Sequence, residues 1–248
     1  MDRGIRAVWY DLPQAGEEAY LAWLHDVHLP ELVKRHGYAW GAHYRITDSS
    51  PRMREIHDRL ARPDDSNVGT GTDFLLLLGA SSPHDFCDPT PARVEEGTSA
   101  DTRDMLSKRI GARACIFVEE AKVNGPEARE RQRGTAPGPA IQMGSFRTKT
   151  EDDEFDLCSW YAQYRFPAMA AMPGCIAARK LVTVAGWANH SVLYEFTSLE
   201  EREKHFQDHE SLALDKKEWT NRIIGYTVHA PGSPSLGRRL WPKVETGA

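Results

Sequence analysis

Two stretches of the chain show the same order of apolar periodicities. Ile5 to Leu12 is rich in β-branched and aromatic residues, the composition of a strand. Between Gly16 and Gly37, Tyr20, Trp23, Leu24 and Val27 recur at helical spacing; Glu17 and Glu18 suit the helix start and Gly37 its stop. Tyr38 to Ile46 alternates as a second strand, and the apolar run Asp73 to Gly79 reads as a buried third. Asp101 to Ile110 is expected to be helical and Ala112 to Glu120 to be a fourth strand. Pro51 to Thr72 is a polar excursion, with a short helix around Met53 to Leu60. The order then repeats. Ala140 to Lys149 is a strand, Glu151 to Gly174 a helix, and Cys175 to Val184 and Asn189 to Ser198 are strands. A polar-faced helix from Leu199 to Ile223 and a final strand, Gly225 to Ala230, complete it.

Asn124 to Pro139 (NGPEARERQRGTAPGP) has no apolar period and reads as an exposed linker. It separates a first unit, 1–123, from a second, 140–248. Shifting the sequence by 137 positions pairs Trp23 with Trp160, Pro30 with Pro167 and Gly37 with Gly174, so both units carry W-x6-P-x6-G. Arg109-Ile110 and Arg222-Ile223 form a second anchor, each expected just before the last strand of its unit. The reading is an α+β fold of two tandem ferredoxin-like β-α-β-β-α-β units. Each unit leaves one apolar sheet face to cover, which two units in one chain achieve by packing together or closing into a pseudo-dimeric α/β barrel.

Composition narrows the function classes. Of 248 residues, 31 are Lys or Arg and 36 Asp or Glu, a net charge of −5 that lacks the broad basic face nucleic-acid binding needs. The longest apolar run, Phe74 to Leu78, is too short to cross a bilayer, and the N-terminus has no apolar h-region, which points to the cytoplasm. Cys87, Cys115, Cys158 and Cys175 share no metal-like spacing and read as reduced, small apolar residues. G-x-G-x-x-G, G-x-x-x-x-G-K-[ST] and G-x-S-x-G are absent where they would count.

His28 is the leading candidate for chemistry. Leu24 and Leu32 flank it at i−4 and i+4, and Pro30 removes a helical hydrogen bond, so a kink or helix end is expected beside it. A desolvated imidazole there suits proton transfer; the plainer alternative is a core-edge His bonded to a freed carbonyl. His25, three residues earlier, reads as solvent-facing, as do His205 and His209 on their charged helix. Trp23, Tyr10, Tyr38, Trp40, His43 and Tyr44 gather around the first helix and its strands as candidate substrate contacts, with His190 from the second unit. Alternation puts Trp9 and Tyr10 on opposite faces. It puts Tyr38, Trp40 and Tyr44 on one face of the second strand and His43 on the other. Arg165 and Tyr164 stand where His28 and Val27 stand in the first unit. A buried Arg165 would clamp a carboxylate or enolate oxygen; the alternative is an ion pair with Asp152 or Asp153 or with another surface acid.

The segment WLHDVHLPELVKRHGY (Trp23 to Tyr38) resembles the EthD-like branch of the dimeric α/β-barrel superfamily, whose helix reads roughly W-x-x-x-H-x-P before a Gly and the second strand. WYAQYRFPAMAAMPGC (Trp160 to Cys175) resembles the same element with Arg165 in place of the His, and VLYEFTS (Val192 to Ser198) is similar to the family's third strand. The resemblance implies the barrel fold and an enzyme acting on a small aromatic or polyketide-like molecule. It implies no cofactor, with His28 as general base or acid and a nearby Tyr or Arg on the developing oxyanion. The superfamily spans polyketide cyclases, monooxygenases, lactone isomerases, dehydratases and haem enzymes. A haem- or metal-dependent oxidoreductase and a non-catalytic binding protein therefore stay open as alternatives. No metal ligand set is expected, and both a monomer and a homodimer are compatible with two units in one chain.

Overall fold

The computed structural model describes residues 2–47, 54, 57–130, 132, 134–210 and 214–244. The first half contains strands β1 (Gly4–Asp11), β2 (Tyr38–Ile46), β3 (Phe74–Ala80) and β4 (Ile110–Asn124). Its helices are α1 (Glu17–Trp23), α2 (Leu29–Leu32), α3 (Pro91–Glu96) and α4 (Ala100–Ser107). The second half contains β5 (Ala140–Arg147), α5 (Glu151–Trp160), α6 (Phe166–Ala171), β6 (Cys175–Ala185) and β7 (His190–Phe196). It ends with α7 (Leu199–Glu210), α8 (Leu214–Tyr226), β8 (Val228–His229) and β9 (Ser235–Trp241).

Eight strands close into one antiparallel barrel in the order β1-β3-β2-β9-β5-β7-β6-β4, and β4 pairs back with β1. The halves are joined through β4–β6 and β2–β9, so every barrel strand has two neighbours and no open edge remains among them. Inward-facing Trp9, Trp40, Tyr44, Leu75, Leu77, Phe117, Ile141, Met143, Leu181 and Leu193 fill the interior. The opposite side of each half-sheet packs under its own helices, around Tyr10, Leu24 and Phe74 in one half and Leu157, Met169 and Phe196 in the other. This two-sided burial explains why β3 reads as a continuous apolar run instead of an alternating one.

The W-x6-P-x6-G repeat marks equivalent places. Each Trp closes the first helix, each Pro is the second residue of the next, and Gly37 and Gly174 have φ of +84° and +79°. A side chain at either glycine would also strike its neighbour, Asp85 at 2.6 Å or Glu201 at 2.7 Å. Between Trp and Pro lies a π-helical turn, Leu24–His28 in one half and Tyr161–Arg165 in the other. The expected kink or helix end at Pro30 is therefore a widened turn through which the helix continues, because i→i+5 bonding absorbs the missing N–H.

Several expectations are corrected. The Arg-Ile anchor does not mark equivalent sites: Arg109-Ile110 leads into β4, whereas Arg222 and Ile223 lie inside α8. The strand expected over Gly225 to Ala230 is two residues long, and the barrel is closed by β9, whose turn-rich approach (APGSP) hid it. A bulge between Tyr38 and Trp40 sends Tyr38 to the helix side, while Trp40 and Tyr44 face the barrel interior. The helix expected over 199–223 is α7 and α8, with 211–213 outside the described residues. Of the expected helix around Met53 to Leu60, 54 and 57–59 are helical, while Met53 and 55–56 lie outside the described residues. The side chain of His209 lies outside them too. Helices α3 and the short 3-10 turn Pro83–Phe86 fill a span that carried no periodic signal.

Candidate functional site

A cavity of about 280 Å³ lies in the first half between the outer face of the sheet and its helices. Arg6 and Leu76 from β1 and β3 form its floor, with Tyr38 beside them. His28 and Leu32 come from the π-turn and α2, and the residues around α3 supply the outer wall, including Arg93 and Glu95. Arg109, in the link from α4 to β4, closes one end. His28 enters this space because the π-turn lays residues five apart over one another. Its ring stacks on Trp23 with centroids 4.9 Å apart and planes at 17°.

The cavity is cationic. Arg6 meets Glu95 only at 3.7 Å, and its Nε is buried without a hydrogen-bond partner. The Nε of Arg109 donates to Tyr20 Oη at 2.7 Å and its guanidinium lies 4.6 Å over the Tyr10 ring, but its Nη2 is buried and unpartnered. Two guanidiniums with unused N–H donors thus border a site whose carboxylates are Glu31, paired with Lys34, and the half-exposed Glu95. Burial, then Arg109, then Arg6, push the His28 imidazole down to about 4, so it is neutral at pH 7.

Behind the cavity runs a buried chain. Tyr10 Oη and His43 Nε2 are 2.8 Å apart, and His43 Nδ1 and His25 Nε2 are 2.8 Å apart. His43 stacks between Tyr10 and Phe74, at 5.9 and 5.3 Å. Burial, with His25, Arg109 and Arg45 as further causes, drives His43 well below the usual histidine range, and burial raises Tyr10 well above that of a phenol. Whichever ring nitrogen of His43 carries the proton, the three groups make one directional chain of neutral hydrogen bonds. The chain holds the Tyr10 ring beneath Arg109. His25 therefore bonds inward to His43, not only to solvent as its sequence position implied.

The candidate residues are distributed as follows. His28 and Tyr38 line the cavity, Trp23 backs His28, and Tyr10 and His43 lie one layer deeper. Trp40 and Tyr44 belong to the barrel interior, where Trp40 Nε1 donates to Asp2 at 2.5 Å and Tyr44 Oη to the Gly138 carbonyl at 3.0 Å. Tyr164, Arg165 and His190 sit in the second half, away from this cavity. Arg165 Nε donates to Tyr194 Oη at 2.9 Å, and its guanidinium lies 4.2 Å over Phe206 and 5.3 Å over Trp160. That environment takes the place of the expected ion pair with Asp152 or Asp153. His190 lies against Phe146 at 5.9 Å, with Glu154 3.5 Å from its Nε2. Arg6 and Arg109 were missed by sequence reasoning. A signal existed for Arg6, whose β1 position shares the outward face of Val8 and Tyr10, a charge in an apolar stripe. Arg109 carried none beyond its place before a strand.

The sequence matches no protein-family model, and no curated protein matches it. Solved structures do share its fold. An anthrone oxidase-like protein superposes with a TM-score of 0.55 at 9% identity, over 96% of this chain and 91% of the other. A proposed monooxygenase from Fusobacterium nucleatum gives 0.55 at 10% identity over 96% and 93%. A proposed chlorite dismutase gives 0.55 at 16% identity over 97% and 96%. The chain thus has the fold of the dimeric α/β-barrel proteins, with both ferredoxin-like halves and the whole barrel in one polypeptide.

Haem is the group that the superfamily resemblance left open, and the described residues do not fit it. In the second half the space under α5 and α6 is filled by buried Leu157, Tyr161, Tyr164 and Met169, and Arg165 stands where the first half offers an imidazole. In the first half the cavity is smaller than the roughly 300–1,000 Å³ that drug-sized ligands need, and two guanidiniums occupy its floor and end. Among the described residues no three His, Cys, Asp or Glu side chains come together as a metal site. None of their helices is long and apolar enough to cross a membrane.

Proposed function

We propose that the protein is a cofactor-independent, EthD-like enzyme that moves a proton on a small aromatic or polyketide-like molecule with an acidic or enolisable oxygen. One observation supports this reading above the others: a neutral His28 shares a cavity with two buried guanidiniums that keep unused N–H groups, the nearest carboxylate, Glu95, meeting Arg6 only at 3.7 Å. His28 removes a proton from carbon next to a carbonyl, and the electron pair moves onto the carbonyl oxygen. Arg109 Nη2–H and Arg6 Nε–H stabilise that oxyanion, and the imidazolium returns its proton to another atom of the same intermediate. The charge that develops on the substrate replaces the repulsion His28 feels from the two arginines with attraction. Its basicity therefore rises during the step that needs it. The anthrone oxidase-like neighbour is in keeping with a flat aromatic substrate, though at 9% identity it speaks for the fold alone.

Exchange of carbon-bound hydrogen in D2O, followed by mass spectrometry over a panel of phenolic and β-dicarbonyl aromatic compounds, tests this. Wild type should incorporate deuterium into at least one compound. His28→Ala should lose about 100-fold or more of that rate with binding retained. Arg109→Met should weaken binding about tenfold or more. Binding without exchange in the wild type would make the protein a binding module and overturn the catalytic reading.

A further inference from the structure

The two ends of the barrel interior treat their inward-facing arginines differently. At one end Arg179 is saturated: its Nε donates to Glu119 at 2.6 Å and its Nη1 to Asp2 at 3.1 Å, while Trp40 Nε1 takes the same Asp2 carboxylate. At the other end Arg113 has no carboxylate within ion-pair distance among the described residues, Asp11 acting on it only from further away. Its Nη1 donates to the carbonyls of Gly71 and Gly69 at 2.5 and 3.3 Å and its Nη2 to that of Pro231 at 2.7 Å, and the guanidinium lies 4.7 Å over the Trp9 ring. Its Nε is buried with no partner. Three further inward-facing groups at this end share that condition: Trp9 Nε1, Ser145 Oγ and Thr183 Oγ1. Register and lining place them together: Trp9 is opposite Arg113, Arg113 and Ser145 border one cavity, and Ser145 and Thr183 each neighbour a partner of His190, Phe146 and Val182. Buried polar groups are rarely left unpartnered, and four at one barrel end need a common reason.

That end is hollow. A cavity of about 260 Å³ is lined by Arg113, Ser145 and Asn67, with Val68, Cys115, Trp187 and Ala188 among its apolar walls. It is separate from the His28 cavity, which lies outside the barrel under the helices. Arg113 Nε–H and the indole N–H can only donate, so what completes them must accept; a cation with no carboxylate within ion-pair distance calls for an anion. The apolar walls call for a short hydrocarbon body behind it. We infer that this barrel end binds a small monocarboxylate with an apolar body, its carboxylate held by Arg113 and Ser145. The other polar groups of this end, Trp9 and Thr183, stand behind them.

The test uses the full-length protein labelled with 15N and titrated with benzoate, with benzamide as the uncharged control of the same size. The indole N–H signals of Trp9 and Trp187, assigned with Trp9→Phe and Trp187→Phe, report on the site. Benzoate should shift both saturably with a Kd of about 1 mM or tighter, and benzamide should not. Ser145→Ala removes a hydroxyl that has no partner in the structure, so the variant should fold normally and bind benzoate about three- to tenfold more weakly. His28→Ala should leave the benzoate shifts of Trp9 and Trp187 as they are, which separates this site from the first. No saturable shift up to about 20 mM, equal shifts with benzamide, or shifts lost in His28→Ala and kept in Ser145→Ala would each overturn the inference.

Discussion

The ring of His28 lies on Trp23, and the guanidinium of Arg165 lies over Trp160, five residues away in each case. One local geometry therefore presents an imidazole to a cavity in one half and buries a guanidinium in an aromatic box in the other. The difference follows from what surrounds each. Tyr194 and Phe206 close on Arg165, whereas Arg6 and Arg109 hold open the space beside His28. The low His28 value follows from burial first and from these two cations next. Arg109→Met should therefore raise it from about 4 toward 6.5, by about one pH unit, as read from an NMR titration of the imidazole. In the second half, Arg165→Ala should cost about 3 kcal/mol in urea unfolding through the lost ring contacts and hydrogen bond. The sequence singled out both residues but not their opposite surroundings, because those come from strands and loops up to about 80 residues away in the chain.

The paired π-turns are the element on which the site depends. Each is bounded by the Trp and the Pro that the sequence repeat marks, and each ends on the residue that differs between the halves. The repeat was legible because apolar spacing and the Pro and Gly punctuation are local. The π character was not, since a helix and its widened turn share one hydrophobic period. Restoring a helical donor with Pro30→Ala should let the turn relax toward α geometry and separate Trp23 from His28. The expected result is retained far-UV circular dichroism with a His28 titration moved upward, since the indole contributes to its desolvation. Register defeated the sequence in the same way at β2, where one bulge sends Tyr38 to the cavity and leaves Trp40 and Tyr44 in the barrel.

Packing on the outer face of the barrel buries histidines that must stay neutral. His43 lies well below the ordinary histidine value. His28 is held at about 4 by burial and arginines, and His229 at about 3 by burial, Arg62 and His57. An unfolded chain binds protons on these groups near pH 6.5, while the native state refuses them until well below that, at about 4 for His28 and about 3 for His229. Their contribution to stability is therefore complete above about pH 6.5 and is lost as the pH falls from there toward 4. Thermal melts at pH 7, 6 and 5 should show Tm falling with each step. His229→Gln should flatten that fall, because it removes one of the protons linked to unfolding.

The order of elements up to the last strand, the internal repeat and the two-sided burial of the strands rest on short-range periodicity and residue type, which the sequence states by itself. Three things depended on the tertiary structure. The barrel closes through β9, because ladder pairing between distant strands overrides the turn-rich approach that hid it. Arg6 and Arg109 converge on His28, because β1 and the α4–β4 link meet only when the sheet is built. The polar groups at the Arg113 end share one hollow, because inward direction and register, not proximity in the chain, decide which side chains meet inside a barrel.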